Sequence, residues 1–236
     1  MNSGPLLFLG IFVTLASSFW GLLLMPQLKI GRQQLVDSNG LPYPTRSGVA
    51  KQGEQVYRSL GCAECHTRQV RTRGYGSDFE RGWGKRRTVA QDYLQDYPVM
   101  LGNVRIGPDL ANIGLRQTNA LWHLVHLYDP KLTSPGSMMP PYQFLFEKRK
   151  LAAGKKPSPE ALAFEGLEPG YEIIPSERAH LLVAYLLSQQ AEAMLFEAPL
   201  PATATNVPPA AVFTNVSTNA VSTNLTTNAA PNPAAK

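Results

Sequence analysis

Residues 61–66 read Gly61-Cys62-Ala63-Glu64-Cys65-His66, and they hold the only two cysteines among 236 residues. A C-x-x-C-H run reads as the attachment site of a c-type haem. Each thiol adds to one vinyl group of the porphyrin, and the two-residue gap sets both sulfurs along one haem edge. The next side chain, His66, is then placed to reach the iron as its proximal ligand. Two other uses of the cysteine pair fit less well. A zinc site needs four ligands, and no second cysteine pair completes one. A thioredoxin-like redox pair needs a βαβ setting, and none is visible. The expected cofactor is one covalently bound haem c, with Cys62 and Cys65 as its anchors.

Working outward, Ser47 reads as the start of a helix in which Val49, Gly53, Val56, Tyr57 and Leu60 share one face. Gly53 has no side chain, so another helix can cross there at close range. The best partner is the last strong helix, residues 176–194, with Leu181, Leu182, Tyr185 and Leu186 on its buried face. Two such helices crossing beside a covalently held haem make the small cytochrome c fold. The expectation is a mainly α chain: one N-terminal transmembrane helix, a class I cytochrome c-like domain and a disordered C-terminal tail.

The remaining iron chemistry is sought downstream. Gly107-Pro108-Asp109-Leu110 offers a rigid loop whose Pro108 carbonyl could accept from the second ring nitrogen of His66. Ser137-Met138-Met139-Pro140-Pro141 carries two thioethers in a proline-bounded loop. A Met opposite a His suits an electron-transfer cytochrome and raises its potential. Met139 is the expected axial ligand rather than Met138, because Pro140 holds the residue before it extended. His123 and His126, three apart on a helical stretch over residues 121–128, are the competing ligands or a copper pair. The preferred reading keeps one of them, His126, as a hydrogen-bonding group near the haem edge. His180 has no partner motif and reads as structural or exposed.

Residues 5–28 contain no charged side chain and are long enough to span a ~30 Å hydrocarbon core. No basic n-region or cleavage site marks them as a removable signal peptide, so residues 1–30 are expected as a retained anchor. Residues 31–46 follow as a linker, residues 47–196 as the monohaem domain and residues 197–236 as a low-complexity tail. That tail is built from Ala, Thr, Asn, Pro and Ser, a composition that buries too little apolar surface to fold. Cysteine-linked haem belongs to the oxidising side of a bacterial membrane. The haem domain is therefore expected on the periplasmic side of the inner membrane, with the N-terminus in the cytoplasm. A net charge of +5 without a supporting motif does not point to nucleic acid.

The segment after the haem motif is basic. Arg68, Arg71, Arg73, Arg81, Lys85, Arg86 and Arg87 face only Asp78 and Glu80 within the run. Such a run is either a solvated face or a set of cations for haem propionates or an acidic partner.

These landmarks occur in order in one known family. From Pro5 to about Met194 the chain resembles the membrane-anchored monohaem cytochrome c subunit of cbb3-type haem-copper oxidases. The resemblance rests on the haem motif, Arg71, Tyr97-Pro98, Arg105, Gly107 to Leu110, Trp122-His123, His126-Leu127, Pro130, Ser137, Met139-Pro140 and Tyr142. It implies one haem c with His66 and Met139 on the iron, and no independent catalytic apparatus. It also implies electrons arriving from a dihaem cytochrome c subunit or a soluble cytochrome c. They would leave for a large multi-helix catalytic subunit carrying haem b and copper, which reduces oxygen to water. On the same resemblance, Arg71 and Arg105 are expected near the haem or the accepting subunit. Residues 147–175 read as an insertion ahead of the final helix, and the tail lies outside the family core. The alternatives are the anchored cytochrome of a nitric oxide reductase, or a haem-based sensor or peroxidase.

Overall fold

The computed structural model describes residues 3–31, 45–152 and 154–201. The expected tail beyond residue 201, and all but the ends of the expected linker, lie outside the described residues.

The N-terminal helix α1 (Gly4–Lys29) is long and apolar enough to cross a membrane, and none of its most apolar stretch is buried within the protein. Pro26 explains its one irregularity. It has no N–H to give to the preceding turn, and a wider π turn forms over Trp20–Leu24, closed by the Met25 N–H on the Trp20 carbonyl.

Helix α2 (Gly48–Ser59) opens on Ser47, whose hydroxyl accepts from the Ala50 N–H. Its buried stripe is Ala50, Gly53, Glu54, Val56 and Tyr57, whereas Val49 is exposed. Positions 50, 53, 54 and 57 follow the 3.6-residue period with Val56 at one margin, and Val49, on that same margin but in the first turn, stays in solvent. Gly53 meets the last helix as expected: a Cβ there would collide with the Leu181 carbonyl. The Tyr57 and Tyr185 rings pack beside this crossing with centroids 5.1 Å apart.

That last helix is shorter than the expected residues 176–194. Beyond three short helices, α3 (Ile113–Arg116), α4 (Ala120–Tyr128) and α5 (Pro130–Thr133), it forms α6 (Glu177–Leu187), capped by Ser176. Specific bonds pull residues 188–193 away from the axis. The Gln189 side chain donates to the Tyr185 carbonyl, Asn112 accepts from the Ala191 N–H, and Arg86 donates to the Ala193 carbonyl.

The stretch expected as an insertion forms an antiparallel hairpin, with β1 (Phe146–Lys150) paired to β2 (Tyr171–Pro175) from Phe146↔Pro175 to Lys150↔Tyr171. Ile173 and Leu162 from this region enter the main core, which also holds Val56, Tyr57, Leu110, Leu127, Leu182 and Tyr185.

Between Thr67 and Asn112 the chain has one regular turn, Ala90–Tyr93, and is held largely by buried ions. Here the expectation of a solvated or freely available basic run fails for two residues. Arg68 is 3 % exposed and lies 2.9 Å from Asp96, which also pairs with Arg46. Arg86 is equally buried and makes a two-pronged contact with Asp92 at 2.6 and 2.8 Å. Both carboxylates lie past the basic run in sequence, so the run read alone does not reveal them. Arg73 and Arg81 do sit at the surface, stacked over Phe79 and Trp83.

Candidate functional site

Gly61 stops α2. Its φ of +69° is a left-handed conformation natural to glycine, and it turns the chain into a short 3-10 turn over Cys62–Glu64. The Cys65 and His66 N–H groups both close on the Cys62 carbonyl. Both cysteines and His66 are therefore gathered on one tight turn. Both thiols are free and half-buried, and burial pushes the Cys62 thiol up to about 12.

The His66 ring has one nitrogen committed. Nδ1 lies 2.7 Å from the Pro108 carbonyl oxygen, an acceptor, so Nδ1 carries the proton and Nε2 keeps its lone pair. Burial pushes the imidazole pKa down and favours this neutral form, although the Pro108 bond and Asp109 oppose that shift. Gly107 is required at this contact, because a Cβ would strike the His66 ring.

Backbone and side-chain bonds hold the two segments together. Gly107 N–H donates to the Cys65 carbonyl and Leu110 N–H to the Thr67 carbonyl, at 3.0 and 2.8 Å. Asp109 is fully buried. One of its oxygens accepts from the Thr67 hydroxyl and the Gln69 N–H, each at 2.7 Å, and the other from the Ala111 N–H at 2.8 Å. Asp109 and Thr67 are functional candidates that reading the motif alone did not single out. The signal available was the Asp directly after the proline.

The two methionines differ sharply. Met138 is 81 % exposed, while Met139 is half-buried and packs on the same apolar cluster as Cys62, Ala63 and Tyr142. Tyr142 ties the end of this loop to α4 through its N–H on the Leu127 carbonyl. Its phenol is raised by burial and, to a lesser degree, by the neighbouring Cys62 and Cys65.

Both α4 histidines have protein partners. His123 is buried, with Nε2 at 2.8 Å from the Gln117 carbonyl. His126 stacks on Trp122 and bonds through Nδ1 to the Thr133 hydroxyl. Burial pushes its pKa down to about 4, with smaller contributions from His123 and His66. His180 is exposed on α6. Among the described residues no group of three or more His, Cys, Asp and Glu side chains is arranged to hold a bare metal ion.

Arg71 and Arg105 are brought together on one carboxylate. Asp78 accepts from the Arg71 N–H and guanidinium and from Arg105 Nη1, at 2.8, 2.7 and 2.6 Å. Burial pushes the Asp78 pKa up, but these donors outweigh it and hold the group well below the usual carboxylate range.

The residues present fit a covalently held haem. Two thiols and a neutral imidazole with a free Nε2 leave one turn. In the segment leading to Gly107, Val99, Leu101, Val104 and Ile106 keep exposed apolar side chains, which a porphyrin face could cover.

Residues 4–195 match the family described as cytochrome c oxidase, mono-heme subunit/FixO. The match favours the oxidase over the nitric oxide reductase alternative. A search of curated proteins returned no match.

Proposed function

The chain belongs to the mono-haem subunit family of cytochrome c oxidases, and from that premise we propose that it is an electron-transfer subunit. It delivers single electrons to a large multi-helix catalytic subunit carrying haem b and copper, where oxygen is reduced to water. The observation that carries this reading is the turn at 62–66, which presents two thiols and an imidazole already oriented by the Pro108 carbonyl.

Cys62 and Cys65 would hold the haem covalently, and His66 and Met139 would bind its iron. Haem bound there would supply a one-electron iron couple. The protein side of the function is positional. Pro108 fixes the His66 ring, and the half-buried Met139 offers a thioether where Met138 faces solvent. A ligand pair kept in both oxidation states keeps reorganisation small, which suits a relay and hinders a sensor or peroxidase. Arg71 and Arg105 share Asp78, Arg105 lies 3.7 Å from Asp109 as well, and the guanidinium pair remains a donor group near the haem segment. We assign it to a haem propionate or a partner carboxylate, and His126 to the haem edge.

Helix α1 is assigned as a single-pass anchor in the bacterial inner membrane, with the haem domain on the periplasmic side. The donor is a dihaem cytochrome c subunit or a soluble cytochrome c.

Purification from membranes in mild detergent tests the assignment. The denatured chain should keep one haem by staining and intact mass, and a large subunit with haem b and copper should co-purify. A mass equal to the bare polypeptide would overturn the cofactor reading. A haem-bearing chain that purifies without any such subunit would overturn the partner reading.

A further inference from the structure

We propose that Asp109, acting with Thr67, is the positioning residue that keeps the Pro108 carbonyl on His66 Nδ1, and thereby sets how strongly the imidazole donates to iron. This deepens the electron-transfer reading and rests on it.

The geometry is specific. Asp109 follows Pro108 directly, and Thr67 follows His66 directly. The Thr67 hydroxyl and the Asp109 carboxylate, 2.7 Å apart, therefore close a bridge immediately beside the His66–Pro108 bond. The same carboxylate oxygen takes the Gln69 N–H, and the other takes the Ala111 N–H, so the carboxylate spans both segments. Backbone bonds from Gly107 to Cys65 and from Leu110 to Thr67 bracket the contact on either side. The Arg116 guanidinium donates to the Asp109 backbone carbonyl, and Arg105 lies 3.7 Å from its side chain. Asp109 is 0 % exposed. Water cannot readily replace these bonds, so the loop has little freedom to draw the Pro108 carbonyl away.

The chemical consequence follows from the acceptor. A carbonyl held on Nδ1–H makes the imidazole more basic at Nε2. A more basic imidazole favours ferric over ferrous iron. Loosening the bridge should weaken the Nδ1–H bond, lower that basicity and raise the midpoint potential.

The test uses the holo-complex with Thr67→Val, Thr67→Ser and Asp109→Asn. Haem content on denaturing gels, chemical denaturation and the potential of this haem are measured for each. Thr67→Val removes the hydroxyl donor at nearly constant volume and should raise the potential. Thr67→Ser restores the donor and should return the potential to the native value. Asp109→Asn sets an amide NH2 against groups that already donate, and should raise the potential further. If Asp109→Asn fails to assemble, the Thr67→Val and Thr67→Ser pair decides. Thr67→Val that loses stability but keeps the native potential would make the bridge a structural brace only and overturn the proposal. A native chain without covalent haem would instead overturn the underlying functional reading.

Discussion

The crossing of α2 and α6 and the segment from residue 67 to residue 112 are both partly buried around the haem motif, yet different forces hold them. At the crossing, side-chain size decides. Gly53 lets the Leu181 backbone approach, and Tyr57, Tyr185, Leu182 and Val56 fill the space around it. In the 67–112 segment, partner identity decides. Arg68 needs Asp96, Arg86 needs Asp92, and Asp78 needs both Arg71 and Arg105. Apolar packing tolerates exchange of similar volumes. A buried charge that loses its partner has no such substitute.

The largest effect is expected at the crossing. Gly53→Val must displace the Leu181 backbone, and should cost about 3 kcal/mol or more in thermal or chemical unfolding of the holo-protein. A loss below about 1 kcal/mol would mean that the helices can separate without harm, and would remove size as the controlling factor there.

Arg68→Met comes next. It leaves Asp96 with Arg46 alone and the Tyr185 hydroxyl without its donor, and should cost about 3 kcal/mol. A neutral outcome would show that an apolar side chain of similar length serves equally well, and the contrast between the two regions would collapse.

Asp78→Asn sharpens the comparison through pH. The Asp78 pKa is depressed in the folded state, so its stabilisation is present above the ordinary carboxylate pKa of about 4 and is lost as pH falls through and below it. The variant should be less stable by about 2 kcal/mol near neutral pH. It should also lose less stability than the native protein on acidification below about pH 4. Parallel acid-denaturation curves would contradict this assignment.

The smallest effects belong to Arg73→Gln and Arg81→Gln. Their guanidinium groups lie over Phe79 and Trp83 at the surface, and each change should stay within about 1 kcal/mol. A loss as large as that of Arg68→Met would mean the run acts as one unit.

The same contrast explains what could be read from the chain. Gly53, Val56 and Tyr57 on α2 and Leu182, Tyr185 and Leu186 on α6 follow a helical period, so neighbours in sequence announce them, whereas the buried Glu54 carries no such signal. Cys62, Cys65 and His66 lie within five consecutive residues, so one short motif carries all three. The end of α6 is not legible locally, because Gln189, Gln190, Ala191, Glu192 and Met194 past Leu187 are good helix formers, while the bonds that divert the chain come from Asn112 and Arg86. Strand β1, Phe-Glu-Lys-Arg-Lys, is exposed along all but its first residue and has no alternating apolar face to signal a strand. Asp96 and the Asp109–Thr67 bridge depend on partners distant in sequence, Asp92 meets Arg86 rather than the nearer Arg87, and composition does not encode which Arg meets which carboxylate.

In the proposed relay His66 and Met139 would hold the haem iron. The near-infrared spectrum of the oxidised holo-protein tests this most directly, because thioether–iron ligation gives a weak band there. Native protein and Met138→Leu should both show the band, and Met139→His should lose it, keep its covalent haem and fall strongly in potential. A native protein without the band, or a band abolished by Met138→Leu and retained in Met139→His, would contradict the account.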